Sequence, residues 1–216
     1  MRDSVIQKIM EKKLIVIARG MKEEHIIPLA KALYDGGVRI MEITFNLKAP
    51  ESHTSTANAI KSVIDYFGEE MLMGAGTVVT PDLVDIAGDA GALYIVSPNT
   101  DINVIQRTKE RGLVSIPGAL TPSECMTAHN AGADFIKLFP IGELGPGYLK
   151  SLRAPLSHLK FVGTGGINDK NIPDFIKAGA VGFGVGGNLV NAQWIESSQF
   201  GKITELAKRY IEAVNQ

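Results

Sequence analysis

The sequence predicts an α/β fold: a single (β/α)8 barrel of the TIM type with an N-terminal helix, spanning residues 1–216 as one domain. Three observations predict it. Short apolar runs alternate with amphipathic stretches along the whole chain, the pattern of parallel strand–helix units. There are eight such runs, the number that closes a barrel in about this length. The runs are nearly continuous in hydrophobicity, as strands buried on both faces are. A doubly wound open sheet is the competing architecture, and the repeat count favours the barrel.

The expected strands, in order, are LIVIA at 14–18, IMEITF at 40–45, MLMGAGT at 71–77, LYIVSP at 93–98, LVSIPG at 113–118, FIKLFP at 135–140, LKFVGTGG at 159–166 and VGFGVGG at 181–187. Helical stretches fill the gaps, among them 23–37, 82–92, 121–133 and 168–180. Most end in glycine, the residue that tolerates the left-handed stop of a helix. Several begin with Thr-Pro or a Ser/Asp cap. A last helix is expected from about 203 to 214.

With 216 residues, 45% hydrophobic and 21% charged, the composition is that of an ordinary globular domain with a sizeable core. A net charge of −1 argues against non-specific nucleic-acid binding, which needs a basic surface. Cys125 is the only cysteine, so no intrachain disulfide and no cysteine zinc cluster can form. The charged N-terminus lacks the apolar stretch of a signal peptide, and no apolar run approaches a membrane span. Cytoplasmic residence, with neither nucleic acid nor membrane as a partner, is the expectation.

Polar residues within the strands gather near their C-terminal ends, where barrels of this kind build their sites. Arg19 follows the first strand, Glu42 and Thr44 lie in the second, Thr77 ends the third, and Ser97 and Pro98 end the fourth. Lys137 sits in the sixth, inside Phe-Ile-Lys-Leu-Phe. If Lys137 points inward, so do Phe135 and Phe139, and by the same alternation Glu42 brings Ile40 and Thr44. Strands two and six are both even-numbered, so the two ionisable groups are expected in one interior layer.

Either residue alone reads as readily as a snorkelling side chain or half of a structural ion pair. Their conjunction points to chemistry. An apolar setting lowers a lysine's pKa, and a neutral amine forms Schiff bases with carbonyls. A carboxylate beside the imine suits proton transfer. Strands seven and eight end in Gly-Gly pairs, where backbone N–H groups can approach an anion closely. Gly165, Gly166, Gly187 and Asn188 are therefore candidate phosphate contacts, against the plainer reading that the glycines serve tight turns.

Taken together, GGVRIMEITF, GAGTV, IVSPN, IPGALTPSE, FIKLFP, GTGGIN and GVGGNLV, in this order and spacing, resemble the 2-dehydro-3-deoxy-6-phosphogluconate / 4-hydroxy-2-oxoglutarate aldolases. The resemblance covers essentially the whole chain. It implies a homotrimeric barrel without a metal or other cofactor. Its substrate would be a phosphorylated keto acid, 2-dehydro-3-deoxy-6-phosphogluconate, cleaved to pyruvate and glyceraldehyde 3-phosphate; 4-hydroxy-2-oxoglutarate would give pyruvate and glyoxylate. Carried over by motif, Lys137 is the Schiff-base lysine and Glu42 the general acid/base. Thr77, Pro98 and Phe139 shape the pyruvate pocket, and Gly165, Gly166 and Gly187 hold the distal phosphate. Two positions depart from the pattern. Asn46 stands where many members carry an arginine for the substrate carboxylate, and Arg19 is a substitute cation from the same mouth. Asn188 stands where serine is common. The segments SPN and GPGYLKSL also resemble the sister 6-phosphogalactonate aldolases.

Three other readings compete: a phosphate-binding barrel isomerase or epimerase with no imine, a metal-dependent aldolase, and a non-catalytic sugar-phosphate binder. His25, His53, His129 and His158 show no ligand spacing. Cys125, in an expected helix, reads as packing rather than as a nucleophile. Trp194 reads as a trimer contact or as packing for the terminal helix.

Overall fold

The computed structural model describes residues 2–216, and the strands form one parallel sheet that curls into a barrel. The strands are β1 (Leu14–Ala18), β2 (Ile40–Thr44), β3 (Leu72–Gly76), β4 (Tyr94–Val96), β5 (Val114–Ile116), β6 (Gly118–Ala119), β7 (Ile136–Leu138), β8 (Phe161–Thr164) and β9 (Gly182–Val185). Their order is β5-β4-β3-β2-β1-β9-β8-β7-β6, with every pairing parallel.

The ninth strand comes from one proline. The fifth expected run is interrupted at Pro117, which has no N–H to give the ladder. Its first half pairs with β4 and its second with β7, so β5 and β6 are two pieces of one stave. The Pro117 carbonyl still accepts from the Lys137 N–H at 2.9 Å, and the barrel closes there. The sixth expected strand is therefore β7.

Helices α2 (Glu23–Asp35), α3 (His53–Phe67), α4 (Pro81–Asp89), α5 (Ile102–Glu110), α6 (Pro122–Asn130), α7 (Gly145–Arg153), α8 (Ile172–Ala178) and α10 (Phe200–Val214) surround it, with a short α9 (Ala192–Glu196) before the last. Their caps follow the sequence. Thr121 and Glu124 form a reciprocal capping box at α6, and the Asp101 carboxylate accepts two N–H groups at the start of α5. Gly37, Gly91, Gly132 and Gly179 take positive φ just past the ends of α2, α4, α6 and α8.

Two apolar layers hold the fold. The larger lies between strands and helices and includes Met41, Ile43, Ile136 and Leu138. The smaller fills the barrel with Ile15, Ile40, Leu72, Tyr94, Val114, Phe135 and Val162. Helix α1 (Arg2–Lys12) closes the bottom, burying Val5 and Ile9, one turn apart, in that inner layer. Each such side chain contributes on the order of 1.5–3 kcal/mol by its removal from water. Among the described residues no helix is long and apolar enough to cross a membrane.

Candidate active site

The strand alternation expected from the sequence holds. Phe135 belongs to the inner layer while Ile136 and Leu138 pack outward, so Lys137 points into the barrel. Ile40 is likewise inner and Met41 and Ile43 outer, which turns Glu42 inward. Lys137 is 7% exposed and Glu42 2%. Burial is the chief influence on both. It raises the Glu42 carboxyl, against the opposing fields of Lys137 and Arg19. It lowers the Lys137 ammonium; Glu42 pushes that value back up and Arg19 pushes it further down. Among the described residues neither side chain has a hydrogen bond or ion pair to a protein group. The Lys137 Nζ lies 5.0 Å from the centre of the Phe139 ring.

Glycine makes room for the carboxylate. A Cβ at Gly76 would lie 2.3 Å from the Glu42 Oε1, and one at Gly74 would lie 2.4 Å from the Tyr94 ring. Both glycines point inward on β3, and the Gly-Ala-Gly spacing is the strand period of two.

Above the pair, at the C-terminal mouth, a cavity of ≈ 400 Å³ is lined by Lys137 together with Arg19, Thr77, Pro98, Phe139, Gly165, Gly166, Gly187 and Asn188. Its size suits a small metabolite. Gly165 and Gly166 both have positive φ, and a Cβ at Gly166 would lie 2.8 Å from the Cα of Gly142. These two glycines thus do serve a tight, close-packed turn. Gly187 differs: a Cβ there meets nothing within 4 Å, so the chain's own packing does not require glycine. The Asn188 Nδ2 donates to the Ile167 carbonyl at 2.8 Å and ties the two glycine loops together. Thr77 adopts φ +60, a conformation costly for a β-branched residue and typical of functional sites.

Asn46 is not brought into this cavity. It lines an adjacent one of ≈ 560 Å³, sharing Arg19, Met21 and Thr77 with the first. Its Oδ1 accepts from the Lys48 N–H at 3.0 Å, an Asx turn that holds the amide within its own loop. Arg19 instead stands between the cavities, and its charge bears on both Glu42 and Lys137.

Residues not singled out from the sequence also belong here. Thr164, buried at the end of β8, lines the lysine cavity, and a Cβ at Gly184 would lie 2.6 Å from its Oγ1. A polar residue just before a glycine pair was the available signal. Tyr94, a phenol in an apolar strand, was another. Cys125 is fully buried in α6 and its thiol is pushed up to about 11 by burial, which leaves it inert as a nucleophile. Trp194 in α9 packs against the outer core, with the Lys202 ammonium 5.6 Å from its ring centre. Among the described residues no three His, Cys, Asp or Glu side chains converge as metal donors.

A sequence model of KDPG and KHG aldolases matches residues 5–206. The chain belongs to the KDPG/KHG aldolase family. It is thus an aldolase, a carbon–carbon lyase. It is 35% identical over 202 residues to the 2-dehydro-3-deoxy-6-phosphogalactonate aldolase of Escherichia coli K12, covering 93% of this chain and 96% of that one. It is 33% identical over 193 residues to the KHG/KDPG aldolase of the same organism, covering 88% and 87%. Among solved structures, the KDPG aldolase of Legionella pneumophila superposes with a TM-score of 0.85 at 27% identity, over 96% of this chain and 97% of that one. That structure holds pyruvate as a covalent carbinolamine intermediate.

Proposed function

We propose that this aldolase works through an imine on Lys137, with Glu42 moving the protons. Its substrate is a 2-dehydro-3-deoxy-6-phospho sugar acid. The observation that carries the reading is a buried lysine with no protein partner that lines a mouth cavity, with the charge of a buried carboxyl, Glu42, bearing on it. The covalent carbinolamine in the Legionella relative supports the same chemistry.

The steps follow from the groups present. The neutral Lys137 amine adds to the C2 carbonyl, and loss of water from the carbinolamine leaves a protonated imine. Glu42 takes the proton of the C4 hydroxyl as the C3–C4 bond breaks. The electron pair of that bond moves into the imine, giving an enamine and releasing glyceraldehyde 3-phosphate. Return of the proton to C3 and hydrolysis release pyruvate and restore the amine. Arg19, at the mouth, binds the substrate carboxylate. Thr77, Pro98 and Phe139 bound the pyruvate end, and the loops at Gly165, Gly166, Gly187 and Asn188 receive the phosphate. The functional unit is a homotrimer in the cytoplasm.

The gluconate epimer is the first reading of the substrate, with 4-hydroxy-2-oxoglutarate as a shorter one that uses the same lysine. A second reading, the galactonate epimer, is favoured by the 35% identity to the phosphogalactonate enzyme. The two acids differ only at C4, the carbon whose hydroxyl gives up its proton. Borohydride reduction in the presence of pyruvate, followed by peptide mapping, is expected to place the adduct on Lys137. No adduct at saturating pyruvate rejects the imine. Values of kcat/KM for both epimers then assign the substrate.

A further inference from the structure

The inner layer contains one phenol, and its hydroxyl is an anomaly. Tyr94 is fully buried among Ile40, Leu72, Phe135 and Val162, yet its Oη has no hydrogen-bond partner. A buried hydroxyl left unpaired costs on the order of 1–3 kcal/mol, and phenylalanine would fill the same volume without that cost. Strand register shows where the hydroxyl is aimed. Glu42 on β2 pairs with Gly74 on β3, and Gly74 pairs with Tyr94 on β4. The three residues form one row across three strands. A Cβ at Gly74 would lie 2.4 Å from both Cε2 and Cζ of Tyr94, so the hydroxyl-bearing end of the ring crosses β3 towards β2. On the far side of that row stands Glu42, whose Oε1 now leans over Gly76, one inward position nearer the mouth.

We propose that Tyr94 is a positioning residue for Glu42, its hydroxyl donating to the carboxylate when that group turns from its place above Gly76 towards the edge of the Tyr94 ring. Because both residues are glycine, the inward face of β3 has room for the Tyr94 ring over Gly74 and for the Glu42 carboxylate over Gly76. The swing gives the proton carrier two stations: one at the mouth, near the lysine, and one below, against the phenol. Glu42 and Tyr94 also sense each other electrostatically. The carboxylate's field adds to burial in holding the phenol well above its ordinary value. The other charges bearing on Glu42 are Lys137 from β7 and Arg19 from the end of β1. Neither reaches it with a hydrogen bond, so Tyr94 is the donor aimed into the row.

This inference rests on Glu42 as the proton carrier, and the test separates the two. Tyr94→Phe removes one oxygen and leaves the packing. It is expected to melt no lower than wild type and to form the borohydride-reduced pyruvate adduct on Lys137 as wild type does. Exchange of the pyruvate methyl protons with solvent is expected to slow about tenfold, the scale of one hydrogen bond to a charged group. The rising limb of its pH profile is expected to move to higher pH, because a carboxylate that loses a donor is harder to ionise. In a Glu42→Gln background the same substitution is expected to change nothing. Exchange within twofold of wild type and an unmoved pH limb overturn the proposal for Tyr94. Wild-type exchange rates in Glu42→Gln alone overturn the proton carrier itself. Should Tyr94→Phe melt lower than wild type, Tyr94→Leu supplies the comparison: an equal loss of exchange in both at matched folding assigns the effect to the hydroxyl, and a loss confined to the less stable one overturns it.

Discussion

Two carboxylates are buried in this barrel, one at each end, and the chain treats them oppositely. Asp134, at the foot of β7, has a side chain 4% exposed. It accepts from the Ser115 N–H at 2.9 Å, is clasped by the Arg2 guanidinium of α1, and has the Lys109 ammonium at 3.8 Å. Glu42 is 2% exposed and has no such partner. A buried charge is tolerable only when paired, so Asp134 reads as structure: it ties the N-terminal helix to the barrel floor. Glu42 and Lys137 face each other without bonding, and each is displaced from its ordinary pKa by burial. Groups left in that condition are characteristic of reactive sites, and Lys137 lines the cavity at the open end of the barrel.

The sharpest way to break the comparison is to neutralise the mouth. Lys137→Met should lower turnover by more than about 10³-fold, because no other residue supplies the nucleophile. It should not lower the melting temperature, since a buried ammonium is exchanged for a side chain of similar length. Substantial residual turnover, measured with the phosphorylated substrate and no contaminating wild type, removes Lys137 from the chemistry.

The corresponding change at the floor should do the reverse. Asp134→Asn sets an amide against donors that need an acceptor, and should cost about 1–3 kcal/mol. In a chain of this size that lowers the melting temperature by roughly 3–10 °C. The borohydride-trapped adduct and kcat should stay as in wild type. A variant that melts normally, or loses imine formation while folded, would show that the floor and the mouth are not separable.

What was legible in the sequence follows the same division. The barrel, its inward and outward faces, the glycine stops and the buried Lys–Glu pair were all readable, because period-two alternation and apolar runs are local signals. Three things were not. The split of one stave at Pro117 depends on which neighbour each half pairs with, and pairing is not written locally. Asn46 matched the motif position for a carboxylate contact, but its amide is held by Lys48 two residues on, a turn that competes with the site. Tyr94 was not singled out within its apolar run, since its meaning needs three strands in register. The misses are the facts set by tertiary neighbours rather than by spacing along the chain.

The smallest expected effect concerns stability at the mouth, and it has a definite sign. Burial raises the folded pKa of Glu42 above its ordinary 4.5. A group so shifted contributes stability that is fully present below the unfolded pKa and is lost as pH rises through the folded one. Lys137 opposes the shift, so the clean background is Lys137→Met, where the carboxyl faces only Arg19. There, adding Glu42→Gln should leave stability nearly unchanged at about pH 4, where the carboxyl is protonated and the amide resembles it. Towards about pH 8 the double variant should become the more stable, by about 1.4 kcal/mol for each unit of the shift. Denaturant melts of the two variants across that range measure the difference directly. A flat difference would mean that Glu42 is as well solvated or paired as Asp134, and the contrast between the two ends of the barrel would fail.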